Sequence, residues 1–184
     1  MTDMFATGVV HGRFQPLHKG HLDYIKDAKL QCSFLYIGIA NPDPCLTEFN
    51  VNSPHRSLAE SNPFSYHERL RMIRLSLEEI GLRSDEYEVV PFPVNKPELL
   101  FHYVPLDSVF FITIYDGWGM EKKRILEGEG LEVVVLEEGD EDLKVASGTH
   151  IRSLMKNDKN WKEHVPSATV DYLESLLSRG RFFE

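Results

Sequence analysis

Residues 5–21 read Phe5-Ala6-Thr7-Gly8-Val9-Val10-His11-Gly12-Arg13-Phe14-Gln15-Pro16-Leu17-His18-Lys19-Gly20-His21, and this stretch decides the fold. The apolar run predicts a buried first strand over 5–10. A Gly/Pro-punctuated turn ends it, and a helical pattern over about 20–30 follows. A strand that passes through a glycine turn straight into a helix opens an α/β unit. Gly12 permits a tight turn and close approach of a ligand to the backbone. Pro16 stiffens that turn. His18 and His21 lie three apart at the helix start, which lets both rings face one side. A helix N-terminus offers unpaired N–H groups and partial positive charge, and Arg13 and Lys19 add cations at the same end. These residues point at an anion, and a polyphosphate suits them.

The alternation continues along the chain. Residues 33–40 (SFLYIGIA) predict a second buried strand. Ser65-x-x-Glu68 is a capping box, and Leu70, Ile73, Leu77 and Ile80 form an apolar stripe that stops at Gly81. Further strands are expected over 87–90, ended by Pro91 and Pro93, over 109–114 and over 131–136. A polar helix is expected over 121–127, closed by Gly128 or Gly130. Two helices finish the chain, one beginning near Ser147 and one at Pro166 with Val170, Leu173 and Leu177 inward. The expected architecture is α/β: a Rossmann-like, doubly wound parallel sheet with helices on both faces. Residues 1–184 read as a single domain, with about 147–184 as its short helical C-terminal part. In such sheets ligands bind outside the carboxyl ends of the strands, so the loops after Val10, Ala40, Val90, Ile114 and Leu136 are the places to look. The polar stretch 41–62, rich in Pro, Asn and Ser, is a long loop of the kind that is usually functional or mobile.

Composition narrows the partners. The 184 residues carry 20 Lys and Arg against 29 Asp and Glu, a net charge of −9. That balance argues against gripping nucleic acid or an anionic membrane by bulk charge. Cys32 and Cys45 are too few for a disulfide framework, and no Cys/His spacing suggests a zinc site. The N-terminal segment lacks the pattern of a secretory signal and no apolar run is membrane-length, so the sequence reads as cytoplasmic and soluble. The terminal Phe182-Phe183 pair suggests docking on a neighbouring subunit, hence a homo-oligomer.

Other phosphate loops are missing: there is no GxxxxGK[ST], and no GxGxxG follows a strand. Gly12-Arg13-Phe14-Gln15-Pro16-Leu17-His18-Lys19-Gly20-His21 instead resembles the HxGH signature of small nucleotidyltransferases, in a form most similar to archaeal-type nicotinamide mononucleotide adenylyltransferases. The resemblance returns in Asn62-Pro63-Phe64-Ser65 with Glu68-Arg69, in Ser147-Gly148-Thr149-His150-Ile151-Arg152, which matches a second signature SxTxIR, and in 161–170. It implies that His18 and His21 hold the phosphates of a nucleoside triphosphate. It implies that Arg152, with Ser147 and Thr149 at a helix start, holds the β- and γ-phosphates that leave as pyrophosphate. Gly12, Arg13, Phe14, Gln15 and Lys19 would complete the nucleotide site. No side-chain nucleophile or base presents itself, and phosphoryl-type transfer needs none: positioning and charge neutralisation suffice, with Mg²⁺ bridging phosphate oxygens rather than held by protein ligands.

The acceptor half departs from the archaeal pattern. The Ser-Gly-Asn turn after the fourth strand is replaced by Tyr115-Asp116-Gly117-Trp118-Gly119, and Phe101 is the nearest aromatic to the family's nicotinamide-stacking tryptophan. Asn41, Asp43, Arg56, Phe101, Asp116 and Trp118 are the acceptor-side candidates. Two enzymatic expectations follow. The first is adenylyl transfer from ATP to nicotinamide mononucleotide. The second is nucleotidyl transfer, cytidylyl in particular, to another small phosphate or phosphonate. A catalytically silent nucleotide sensor is a third, disfavoured by the intact leaving-group residues.

Overall fold

The computed structural model describes residues 4–44, 58–139 and 147–180. Strand β1 spans Phe5–Gly12, helix α1 Lys19–Lys29, β2 Cys32–Ala40, α2 Tyr66–Glu79 and β3 Tyr87–Phe92. After these come β4 Val109–Ile114, α3 Gly117–Gly128, β5 Glu132–Glu138, α4 Gly148–Lys156 and α5 Val170–Leu177. The five strands form one sheet in the order β3-β2-β1-β4-β5, every pair parallel. The chain builds outward from β1 to β3, then crosses back to lay β4 and β5 on the other side. Strand order therefore reverses between β1 and β4, which is where a doubly wound sheet opens a crevice. Pairing between these strands stops at Val9↔Phe110, although β1 runs on to Gly12.

Alternating side chains along the strands feed two separate cores, one on each face. Val10 and Phe111 join Leu22 and Ile25 of α1, Ile73 and Leu77 of α2, Ile151 of α4 and Leu173 of α5. Val9, Phe110 and Ile112 join Leu126 of α3 and Leu100 and Val104 of the segment before β4 on the opposite face. The expected helix-covered parallel sheet is the observed one. No helix among the described residues is long and apolar enough to cross a membrane.

Three local readings are corrected. β3 does not stop at Pro91 but runs through it to Phe92, with Pro91 opposite Ile39. β3 is the edge strand, and a proline's missing N–H is tolerated on its unpaired side. Helix α3 starts at Gly117, well before residue 121, because the Asp116 carboxylate caps it by accepting from the Gly119 N–H at 2.8 Å. A 3₁₀ turn, Ser167–Thr169, intervenes between Pro166 and α5, and Leu173 and Leu176 are the fully buried positions of that helix. Elsewhere the local reading holds: Ser65 and Glu68 form both halves of the capping box, and Gly81 ends the segment at φ 78°.

Candidate active site

A cavity of about 570 Å³ lies at the carboxyl ends of the strands. The β1–α1 loop lines it, and so do the first turns of α3 and α4. Asn41 after β2 and Val94 and Asn95 after β3 also line it.

The β1–α1 loop is held by groups that are themselves buried. Phe14 adopts φ 52°, a conformation rare for a residue with a side chain, while its ring is wholly enclosed. A Cβ on Gly12 would lie 3.0 Å from that ring, a contact tight enough that the enclosed ring would have to shift. The Gln15 side chain is spent on Phe64, donating to its carbonyl at 2.8 Å and accepting from its N–H at 2.9 Å. Arg69 does comparable work from α2. Its guanidinium, 2% exposed, donates to the carbonyls of Arg13 at 3.0 Å, Ala40 at 2.6 Å and Asn41 at 2.8 Å. Burial pulls its pKa down to about 10, and it ties the ends of the two strand loops together.

His18 caps α1, its Nδ1 accepting from the His21 N–H at 3.3 Å. The two rings stack with centroids 3.6 Å apart and planes 20° apart. Burial first, and the charge of His164 second, lower the His18 pKa to about 4. Burial and then the nearby charge of His18 hold His21 well below the usual histidine range. The pair is therefore neutral at pH 7, and protonating either ring is unfavourable unless an anion arrives. His21 Nδ1 is buried without a partner among the described residues.

The second motif approaches the first from α4. Ser147 caps that helix by accepting from the His150 N–H at 3.2 Å. Arg152, 9% exposed, donates through Nη1 to the Gln15 carbonyl at 2.7 Å and through Nη2 to Thr149 Oγ1 at 3.2 Å. Burial lowers its pKa, against an opposing pull from Glu60. Gly148 sits so close that a Cβ there would be 2.7 Å from the Gln15 oxygen.

Gly12, Arg13, Phe14, Gln15, His18, His21, Asn41, Asp116, Trp118, Ser147, Thr149 and Arg152 all line the cavity. Others do not. Lys19 is exposed and outside it, because one residue along a helix turns the side chain about 100° away from His18. Phe101 is 58% exposed and lies outside the cavity, in a 3₁₀ turn that buries its neighbour Leu100 and sets the Phe101 ring against His102. Asp43 is exposed and also outside the lining. Arg56, Cys45 and Phe182-Phe183 lie outside the described residues.

The structure adds residues that spacing did not single out for the site. Lys122, which reads as part of a solvated cationic run, lines the cavity one helical turn beyond Trp118. Tyr24 and Asn95 also line it. The signal for Lys122 was Asp116, whose capping role fixes the helix phase. His11 is 5% exposed at the end of β1, its ring stacked on Phe92 at 4.5 Å. Neither ring nitrogen of His11 has a hydrogen-bond partner among the described residues. A buried donor left in that condition costs about 1–3 kcal/mol.

Two helix starts and a histidine pair converge on one crevice, an arrangement that suits a polyphosphate, and the chain's relatives make the protein a nucleotidyltransferase. The chain belongs to the Cytidylyltransferase-like family, whose pattern matches residues 9–161. It is 41% identical over 165 residues to the phosphonoformate cytidylyltransferase of Streptomyces viridochromogenes, covering 90% of this chain and 89% of that one. It is 29% identical over 170 residues to the nicotinamide-nucleotide adenylyltransferase of Thermococcus sibiricus, covering 92% of this chain and 83% of that one. Among solved structures it superposes on a bifunctional NMN adenylyltransferase/ADP ribose pyrophosphatase from Francisella tularensis with a TM-score of 0.66 at 21% identity. That match covers 95% of this chain but only 50% of the larger protein, and it speaks for the fold.

Proposed function

We propose that the enzyme transfers a cytidylyl group from CTP to a small phosphonate or phosphate acceptor, releasing pyrophosphate. The acceptor-side wall carries this reading. The segment after β3 contributes only Val94 and Asn95 to the cavity and sends Phe101 out to solvent, so no ring from that segment stacks on a nicotinamide. The 41% identity to a phosphonoformate cytidylyltransferase supports the same choice.

The neutral His18–His21 pair and the free N–H groups of the α1 start take the α- and β-phosphates. Arg152, Ser147 and Thr149 hold the β- and γ-phosphates. An acceptor oxygen attacks the α-phosphorus in line, the bond from that phosphorus to the bridging α–β oxygen breaks, and its electron pair leaves with pyrophosphate. Arg152 then stabilises charge that develops on the departing group, the contribution expected of a preorganised donor in a dry site. Mg²⁺ carried in on the phosphates would neutralise their charge.

Adenylyl transfer from ATP to nicotinamide mononucleotide is the second reading. It is favoured by Trp118, which lines the cavity from α3 and would supply a stacking surface there instead. Pyrophosphate release from CTP, ATP, GTP and UTP, each with Mg²⁺, against nicotinamide mononucleotide and a panel of small phosphonates and phosphates separates the two. Release with CTP and a phosphonate supports the first. Release only with ATP and nicotinamide mononucleotide overturns it.

A further inference from the structure

We propose that Tyr24 is a positioning residue for nucleotidyl transfer: its hydroxyl stands in for a backbone rung between β1 and β4 and so sets the width of the crevice in which the two substrates meet. The inference rests on transfer taking place in that cavity, and it holds for either acceptor.

The register between the two strands carries it. Their pairing ends at Val9↔Phe110. In a parallel ladder an N–H bonds the carbonyl of the residue before its partner, so one more rung would run from the His11 N–H to the Phe111 carbonyl. That carbonyl is taken instead by Tyr24 of α1, whose hydroxyl donates to it at 2.5 Å. The His11 N–H faces the same hydroxyl. A direct N–H···O bond spans about 2.9 Å, whereas two bonds meeting at one oxygen hold their outer atoms about 4–5 Å apart. The Tyr24 ring packs against the core on that face of the sheet, which a phenylalanine would do as well. With a phenylalanine there the ladder could close directly and leave neither backbone group unpaired. The hydroxyl is thus explained by the opening between the strands and not by packing.

Each strand end carries one wall of the cavity. β1 leads into the loop that bears His18 and His21. β4 leads into the first turn of α3, seated so closely that a Cβ on Gly119 would lie 3.0 Å from the Ile114 Cα. Tyr24 lines the same cavity. Closing the rung would draw the α3 wall toward the β1–α1 loop, and a misplacement of about 1 Å between reacting groups costs about 10²-fold in rate.

Backbone NMR and steady-state kinetics test this together. In the wild type no scalar coupling is expected between the His11 nitrogen and the Phe111 carbonyl carbon, and in Tyr24→Phe that coupling should appear. With the nucleotide and acceptor that the wild type turns over, Tyr24→Phe is expected to lose about tenfold to a hundredfold in kcat while nucleotide affinity holds. Tyr24→Gln, whose amide both donates and accepts, should recover part of that loss. Ile73→Val, a core substitution outside the cavity lining, should lower the Tm and leave kcat unchanged. The proposal is overturned by a His11–Phe111 coupling in the wild type, a result that needs no variant to fold, or by its absence in Tyr24→Phe. It is also overturned by wild-type kcat in Tyr24→Phe, by nucleotide affinity that falls in parallel with kcat, or by an equal loss of kcat in Ile73→Val. A wild type that turns over only ATP with nicotinamide mononucleotide overturns the acceptor reading above and leaves this test as it stands.

Discussion

Arg152 Nη1 donates to the backbone carbonyl of Gln15 across 2.7 Å, joining two motifs that stand 137 residues apart in the chain. The bond fixes the distance between the β1–α1 loop and the start of α4, and it needs the close approach of α4 to the loop. Gly148 allows that approach. Its missing Cβ would otherwise stand 2.7 Å from the same oxygen, and a backbone atom cannot swing away. Gly148→Ala is therefore expected to cost about 1–3 kcal/mol of stability by overpacking, together with most nucleotide affinity. Thermal unfolding and nucleotide titration check this; a variant that melts and binds like the wild type would show that the loops separate freely.

Arg152 and His21 are expected to matter more for rate than for folding. Loss of one well-aimed donor to developing charge costs about 10²–10³-fold in kcat. Arg152→Ala and His21→Ala should each fall by at least that much in pyrophosphate release while keeping the far-UV circular dichroism of the parent. Turnover near the wild-type level in either variant would remove that residue from the transfer step.

Gln15 holds the β1–α1 loop through its side chain. Its amide satisfies both the N–H and the carbonyl of Phe64 in a buried setting. Gln15→Leu leaves both orphaned, at about 1–3 kcal/mol for each unsatisfied group. The expected result is a lowered Tm with KM and kcat both impaired, and Gln15→Glu should recover only the half in which the side chain accepts. A loss of kcat with an unchanged Tm would contradict the structural role.

The two motifs that meet at the cavity were legible in the sequence because their signals are local. Each is a helix start with a glycine turn, and capping residues plus paired histidines announce such starts without knowledge of the rest of the fold. The parallel sheet was legible for a similar reason, since strand and helix patterns alternate plainly. What depends on topology was hidden. Pro91 looks like a strand terminator until β3 is known to be an edge. Lys122 looks like part of a solvated run until Asp116 is seen capping α3, which places it one turn beyond Trp118 on the cavity side. Phe101 looked like the stacking ring because no local signal says that Leu100 takes the inward position of that turn.

The stacked histidines also set a pH dependence of stability. His18 has a pKa of about 4 in the folded protein, chiefly through burial, against an ordinary value of 6.5. Because the folded value is the lower one, the unfolded chain takes up the proton first as the pH falls. The stability contribution is fully present above pH 6.5 and is lost through the window from about 6.5 down to about 4, amounting to about 3 kcal/mol for this residue. His18→Asn isolates the effect, since an asparagine oxygen can still cap α1 by accepting from the residue 21 N–H while carrying no titrating group. Between pH 7 and pH 4.5 the Tm of the wild type is expected to fall more steeply than that of His18→Asn. Parallel slopes in the two proteins would mean that the His18 ring is not held neutral by its burial. Adding nucleoside triphosphate should narrow the difference, because phosphate oxygens beside the pair favour the imidazolium and raise the folded-state pKa toward the unfolded one.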